Sequence, residues 1–263
     1  MTNLQLKLIN NRLVKLIFKT PWIGIYPSFP EAMAAIPPRA DIGYNQKKTQ
    51  EVFGTYPIDR MRPADYPILL HLCLLMQPGG RLVDLGGNIG MACYTAQKYY
   101  DLPSNFEWVL CDVPKVIETA KEVAIREGEK SRFLRYTTSL KHAGPCDIFF
   151  SSGTLQYIES QLPELLAQLP ELPAHVLINR IPVWDREAIA TLHDIGFCIS
   201  AYHVFNRSTF VASMEAIGYR LLDTWPCPES TFSIRFRPHV RLDAYQGFYF
   251  SRIDSEKNSA DQN

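Results

Sequence analysis

From residue 81 onward, seven short apolar runs punctuate the chain, and stretches of helical periodicity separate most of them. The runs span 81–86, 106–113, 132–138, 146–152, 174–181, 219–225 and 244–253. Most are continuously apolar, the pattern of strands buried on both faces. Helices are predicted over 91–100, 114–128, 158–169 and 207–218. Pro114 opens and Gly128 closes the second of these, the usual asymmetry of helix ends. Pro163 lies inside the third, and Ser208 or Asn206 caps the fourth. Residues 182–206 read as a long loop. No helix separates the last two strands, so they are expected to pair antiparallel. The pattern predicts an α/β fold of Rossmann-like type, a mostly parallel seven-stranded sheet with helices on both faces.

Residues 1–78 depart from this alternation. Prolines and aromatics crowd 20–67, which leaves room only for short helices, one over 30–36 and one from about 67 to the "QPGG" stop. In 1–19, Leu6, Ile9, Leu13 and Leu16 fall at helical spacing, with Lys7, Arg12, Lys15 and Lys19 as the only charges. That segment reads as an amphipathic helix packed on its own domain or on a partner subunit. Weak contact with an anionic membrane surface is the alternative. No small-residue cleavage site follows it. No apolar run reaches the roughly 18 residues of a spanning helix. The expected organisation is an N-terminal helical and Pro/aromatic-rich extension over 1–78, acting as lid or packing element, an α/β domain over 79–253, and a disordered tail over 254–263. A cytoplasmic location follows, at most peripheral to the inner membrane.

Composition narrows the partners. The chain has 263 residues, 46% hydrophobic, enough for a sizeable core. Lys+Arg and Asp+Glu are both 27, so nothing suggests a nucleic-acid partner. Cys73, Cys93, Cys111, Cys146, Cys198 and Cys227 form no C-x-x-C pair. They read as reduced, buried thiols, and no metal site is expected.

The chemistry concentrates in "RLVDLGGNIG", residues 81–90. Ligands of open α/β sheets bind at the carboxyl ends of strands, and this run places Asp84, Gly86, Gly87, Asn88 and Gly90 there. A P-loop is excluded, because no G-K-[ST] follows. A dinucleotide fingerprint counted from Gly86 meets Asn88 and Met91 where glycines belong, and Asp84 would repel a pyrophosphate. S-adenosylmethionine carries a sulfonium, an ammonium and one carboxylate, so an acid at the strand end suits it. The glycines are expected to let backbone approach the ligand. Asn88 tolerates positive φ better than most residues. A glycine turn that merely closes strand onto helix is the alternative.

Asp112 favours the ligand. It ends the second strand, where an acid can accept both ribose hydroxyls. Val113 and Pro114 follow as an apolar ledge for adenine, although Asp112 can also cap the helix that Pro114 opens. After the third strand, Thr138 or Ser139 can bond the exocyclic amine, Ser139 being the chosen candidate. After the fourth, Ser152 and Gly153 are expected on the cofactor's methionine side, with Leu155, Gln156 and Tyr157 facing the acceptor.

These residues, with "WIGIYPSFPEA", "SSGTLQYIE", "LINRIPVW" and "YHVFNRSTF", carry a resemblance over residues from about 22 to 252. The chain resembles a bacterial family of class I methyltransferases associated with surface-polysaccharide gene clusters. The resemblance implies a class I fold and a sugar-related acceptor. It departs from the fuller glycine pattern at Asn88.

A hydroxyl acceptor benefits from a general base. His203, in the segment after the fifth strand, is the chosen candidate. His142 is weaker, and His71 reads as structural. Arg180 ends the fifth strand, placed to hold a phosphate or carboxylate on the acceptor or to pair with a buried acid. A bulky sugar-nucleotide acceptor would want cationic groups such as Arg180 and Arg207. Tyr44, Tyr56 and Arg60 are candidate lid residues. The expected function is O-methylation of a sugar or sugar-linked intermediate. A natural-product hydroxyl and a non-catalytic interaction module are the alternatives.

Overall fold

A computed structural model describes residues 20–253, residues 39 and 59 excepted. The chain enters through strand β1 (Trp22–Tyr26) and three helices, α1 (Phe29–Ala34), α2 (Lys47–Phe53) and α3 (Asp65–Leu75). Seven later strands form the main sheet: β2 (Arg81–Leu85), β3 (Glu107–Cys111), β4 (Leu134–Thr137), β5 (Ile148–Ser152), β6 (His175–Ile181), β10 (Tyr219–Cys227) and β13 (Tyr245–Arg252). Their order in space is β10-β13-β6-β5-β2-β3-β4. Strands β2 to β6 pair parallel, and β13 runs antiparallel to β6 and β10. The predicted sheet is present. The order reverses between β2 and β5, which makes their carboxyl ends the switch point.

Side chains alternate through this sheet into two layers. Leu82, Trp108, Leu110, Ile148 and Leu177 face α3, α4 (Met91–Ala96) and α5 (Pro114–Glu127). Val83, Val109, Phe149 and Ile178 face α6 (Leu162–Leu166) and α7 (Arg207–Glu215). Fully burying a side chain such as Leu82, Ile148 or Phe149 is worth roughly 1.5–3 kcal/mol. Asn206 caps α7, its side chain accepting from the Thr209 N–H at 2.8 Å.

A second sheet corrects the expected loop and the expected helical extension. Residues 182–206 form β7 (Val183–Trp184), β8 (Ile189–Asp194) and β9 (Ile199–Asn206). The connection from β10 to β13 adds β11 (Phe232–Ile234) and β12 (Arg237–Leu242). With β1 these run in the order β12-β11-β1-β8-β9-β7. The extension is thus woven into the rest of the chain. β1 pairs antiparallel with β8, Trp22 opposite His193. The Ile195 N–H donates to the Cys198 carbonyl at 3.2 Å around the Gly196–Phe197 turn, where Gly196 takes φ +97°. One face of this sheet packs on α1, joining Phe29, Ala32 and Ile36 to Ala190, Leu192 and Ala201. Its other face looks towards the carboxyl ends of β2 and β5.

The amphipathic segment 1–19 and the polar tail 254–263 lie outside the described residues. Among the described residues no helix is long and apolar enough to cross a membrane. All six cysteines are free; five are buried as expected, but Cys73 is exposed on α3.

Candidate functional site

Between the switch point and the free face of the second sheet lies a cavity of about 1110 Å³. Asp84, Gly86, Gly87 and Asn88 line it from the β2 end, Asp112 and Val113 from the β3 end, and Ser152 and Gly153 from the β5 end. Parity sets Asp84 on the α3–α5 layer beside Trp108, whose indole N–H donates to its Oδ2 at 3.0 Å. Asp84 is 1% exposed. Burial lifts its carboxyl from the usual carboxylate range to about 7; the Trp108 bond pulls down and the Asp112 charge pushes up. Asp112 is half-buried. Burial raises it to about 6 against two backbone donors, Val113 N–H at 2.7 Å and Asn88 N–H at 3.1 Å. One donor falls on each oxygen, which leaves each a further acceptor position.

The glycines serve a purpose the sequence reading did not foresee. Gly86 takes φ +72°, and a Cβ there would lie 2.1 Å from Thr154 Oγ1. A Cβ on Gly87 would lie 2.6 Å from Asp84 Cγ and 2.6 Å from Leu110 Cδ2. The missing side chains make room for Thr154 and for the buried acid. Asn88, at φ 55°, completes the turn and bonds its own side-chain oxygen to the Ile89 N–H at 2.8 Å.

Gly90, Ser139, Leu155 and His203 are among the expected residues that do not line the cavity. Gly90, at φ 91°, starts α4 in a left-handed conformation, and a Cβ there would meet Leu134 and Tyr94. Ser139 is tied into a turn with Thr137, its N–H donating to Thr137 Oγ1 at 3.2 Å; Thr138 lines the cavity instead. His203 is the larger correction. It pairs with Ala190 and stacks on Phe29 at 4.7 Å, on the α1 face of the second sheet. Strand alternation turns it away from the cavity, and its Nε2 is buried without a partner among the described residues.

His193, which the sequence reading passed over, lines the cavity. Its ring stacks on Trp22 at 5.0 Å and 10°, and Nδ1 lies 2.9 Å from Tyr157 Oη. Burial lowers it to about 4, opposed by Asp194, so the ring is neutral at pH 7. Tyr157 packs edge-on to Tyr44 and Tyr202, and Tyr202 Oη bonds Tyr245 Oη at 2.6 Å. Tyr44, Tyr56 and Arg60 reach the cavity, as do Gln156 and Tyr157, whereas Leu155 is buried in the main core. Arg180 lines it from the β6 end. Asp65, missed in the sequence, also lines it, held by Arg62 N–H at 3.0 Å and Asn179 Nδ2 at 3.3 Å, with burial raising its carboxyl. His142 does not line it. His71 braces α3 against β10, Nε2 at 2.8 Å from Asp223 Oδ2.

No family model matches the chain, and no curated protein matches it. Solved structures do. The CcbJ methyltransferase of Streptomyces caelestis is similar with a TM-score of 0.53 and 11% identity, over 80% of this chain and 98% of that one. A protein from Galdieria sulphuraria, provisionally assigned as a sarcosine dimethylglycine methyltransferase, gives 0.50 and 12%, over 80% and 98%. At these identities the likeness shows the fold alone: the main sheet and its helices share the architecture of these methyltransferases.

Proposed function

We propose that the chain is an S-adenosylmethionine-dependent methyltransferase acting on a hydroxyl of a small molecule, a sugar or sugar-linked intermediate. The observation that carries this is the convergence of Asp84, the 86–88 turn and Asp112 on one cavity at the switch point. The donor set fits the cofactor. A buried carboxyl, Asp84, and a half-buried one, Asp112, both with raised proton affinity, gain from a cationic ligand, and Asp112 keeps acceptor positions for ribose hydroxyls. When bound, the cofactor supplies an electrophilic methyl group on a sulfonium.

The chain's residues do the rest. Val113 and Thr138 border the adenine end, and Ser152 and Gly153 the opposite end. The second sheet closes the far wall and restricts water, so acceptor and methyl are held in line, which supplies much of the rate. His193, neutral and fixed by Trp22 and Tyr157, accepts the acceptor's proton as the methyl moves. Trp22 and Tyr44 offer ring faces, and Tyr44 a hydroxyl, suited to a sugar ring. The resemblance in blocks such as "SSGTLQYIE" supports the same acceptor class.

Calorimetry with S-adenosylhomocysteine tests the cofactor. Mass spectrometry of sugar nucleotides and glycosyl phosphates incubated with a labelled methyl donor tests the acceptor. Binding with transfer of the label supports the reading; no binding of donor or product overturns it.

A further inference from the structure

Among the residues that line the cavity, Arg180 combines a left-handed backbone with a cationic side chain. It holds φ 56°, a conformation that residues other than glycine rarely adopt and that clusters at functional positions. Its Nε donates to Ser152 Oγ at 3.1 Å. The two terminal nitrogens have no hydrogen-bond or ion-pair partner among the described residues, although both sit in a side chain that lines the cavity. Arg81, Arg135 and Arg207 by contrast each meet a carboxylate. Asp65, an acid that lines the same cavity, has its oxygens on Arg62 N–H and Asn179 Nδ2.

Beside Arg180 stands an unfilled acceptor. Gln156 is 3% exposed and lines the cavity; its Nε2 faces the Arg180 carbonyl at 3.5 Å, and its Oε1 is buried with no partner among the described residues. A buried amide oxygen left bare is costly, so a ligand hydroxyl or N–H placed there is favoured. A guanidinium with two free N–H groups matches an oxyanion bidentately.

We propose that Arg180 and Gln156 form a subsite for an oxyanion, a phosphate or carboxylate, carried by a hydroxylated acceptor. The oxyanion lies on the guanidinium, and a neighbouring hydroxyl donates to Gln156 Oε1. That the occupant belongs to the acceptor rests on the methyl-transfer reading; the anion site itself is measurable without it.

The test uses the full chain with inorganic phosphate, and separately acetate, as probes, followed by NMR line broadening. S-adenosylhomocysteine is titrated in parallel by calorimetry. The wild type should bind phosphate weakly. Arg180→Gln should weaken that binding at least tenfold, Arg180→Lys by less, and Gln156→Glu should abolish it by adding a negative charge. Arg180→Asn repeats the loss on a residue that tolerates left-handed backbone, should the glutamine variant fail to fold. Phosphate and S-adenosylhomocysteine should bind together. Absence of phosphate binding, equal binding by the arginine variants, or competition between phosphate and S-adenosylhomocysteine would overturn the proposal, the last by giving Arg180 to the cofactor's carboxylate. Preference for acetate over phosphate identifies the occupant as a carboxylate; the reverse identifies a phosphate. Phosphate bound at Arg180 with no affinity for S-adenosylhomocysteine would sink the methyltransferase reading and leave the subsite standing.

Discussion

If Asp84 holds the cofactor as proposed, its burial ties cofactor affinity to pH. With its carboxyl near 7, roughly 3% is ionised at pH 5.5 and about three quarters at pH 7.5. If the cationic cofactor binds the ionised form, affinity should climb about 25-fold over that window, and Asp112, near 6, adds at most about fourfold. The window stops at 7.5 because the ligand's own α-amino group titrates near 8. Calorimetry of S-adenosylmethionine, without acceptor and in buffers of different ionisation enthalpy, reads both quantities. It should report release of about half a proton per site from Asp84 at pH 7. Asp84→Asn should bind at the low-pH level throughout and keep only the shallow Asp112 slope. A wild-type affinity that stays within twofold from pH 5.5 to 7.5 would refute the reasoning. So would an Asp84→Asn chain with the wild-type slope.

The same acids have folded values above their unfolded ones, so the folded chain binds more protons between about pH 4 and 7 and the ligand-free protein should lose stability as pH rises through that range. Thermal melts should show a flatter pH dependence for Asp84→Asn than for the wild type. Gly86→Ala should destabilise by several kcal/mol and abolish cofactor binding, since the new Cβ meets Thr154 and the backbone is left-handed; chemical denaturation checks it, and Thr154→Gly in the same chain should recover part of the loss. His193→Ala should slow turnover roughly 10²-fold with cofactor affinity nearly intact, whereas His203→Ala should change stability and leave turnover close to wild type, as single-turnover kinetics with the screened acceptor will read. Deleting residues 1–19 should alter stability or oligomeric state with no salt-sensitive loss of anionic-vesicle binding; vesicle co-sedimentation separates the two outcomes.

The wall of the cavity at the β2 and β3 ends was legible because local chemistry and fold agree there. A buried parallel strand ending in Asp84 has its position dictated by continuous hydrophobicity, and Asp112 follows one crossover later at an equivalent end. Finer placement was not legible. Thr138 and Ser139 differ by one residue at a strand end, and only the turn held by Thr137 Oγ1 decides which reaches the cavity. Gly90 looked like a third ligand glycine, yet its left-handed φ serves the entry into α4. The His203 error has a simple cause. Residues 182–206 read as a loop, and a loop has no parity. Read as strands, "IATLHD" and "ISAYHVFN" alternate: Thr191, His193, Ser200 and Tyr202 fall on one face, Ala190, Leu192, Ala201 and His203 on the other. The hairpin signal was present in Gly196, at the place where a two-residue turn wants positive φ.

The acceptor wall resisted reading for a topological reason. Its residues come from β1, from the β8–β9 hairpin, and from Glu229, Ser230 and Thr231 in the connection between β10 and β13. None of those segments has a partner strand nearby in sequence except β8 and β9. The Trp22–His193 stack exists only because β1 lies in register with β8 across some 170 residues of chain. A sheet assembled this way is held by pairing with distant strands, and part of its cavity-side face, Tyr202, Val204 and Phe232, packs into the main core. Polar and aromatic groups collect on that face, and α1 takes the apolar one. On the methyl-transfer reading proposed above, the main sheet holds the cofactor and the second sheet faces the acceptor. Exchanging Tyr202→Phe should therefore shift which acceptor is methylated, through the lost Tyr245 bond, while the pH-linked affinity for S-adenosylmethionine stays at its wild-type value.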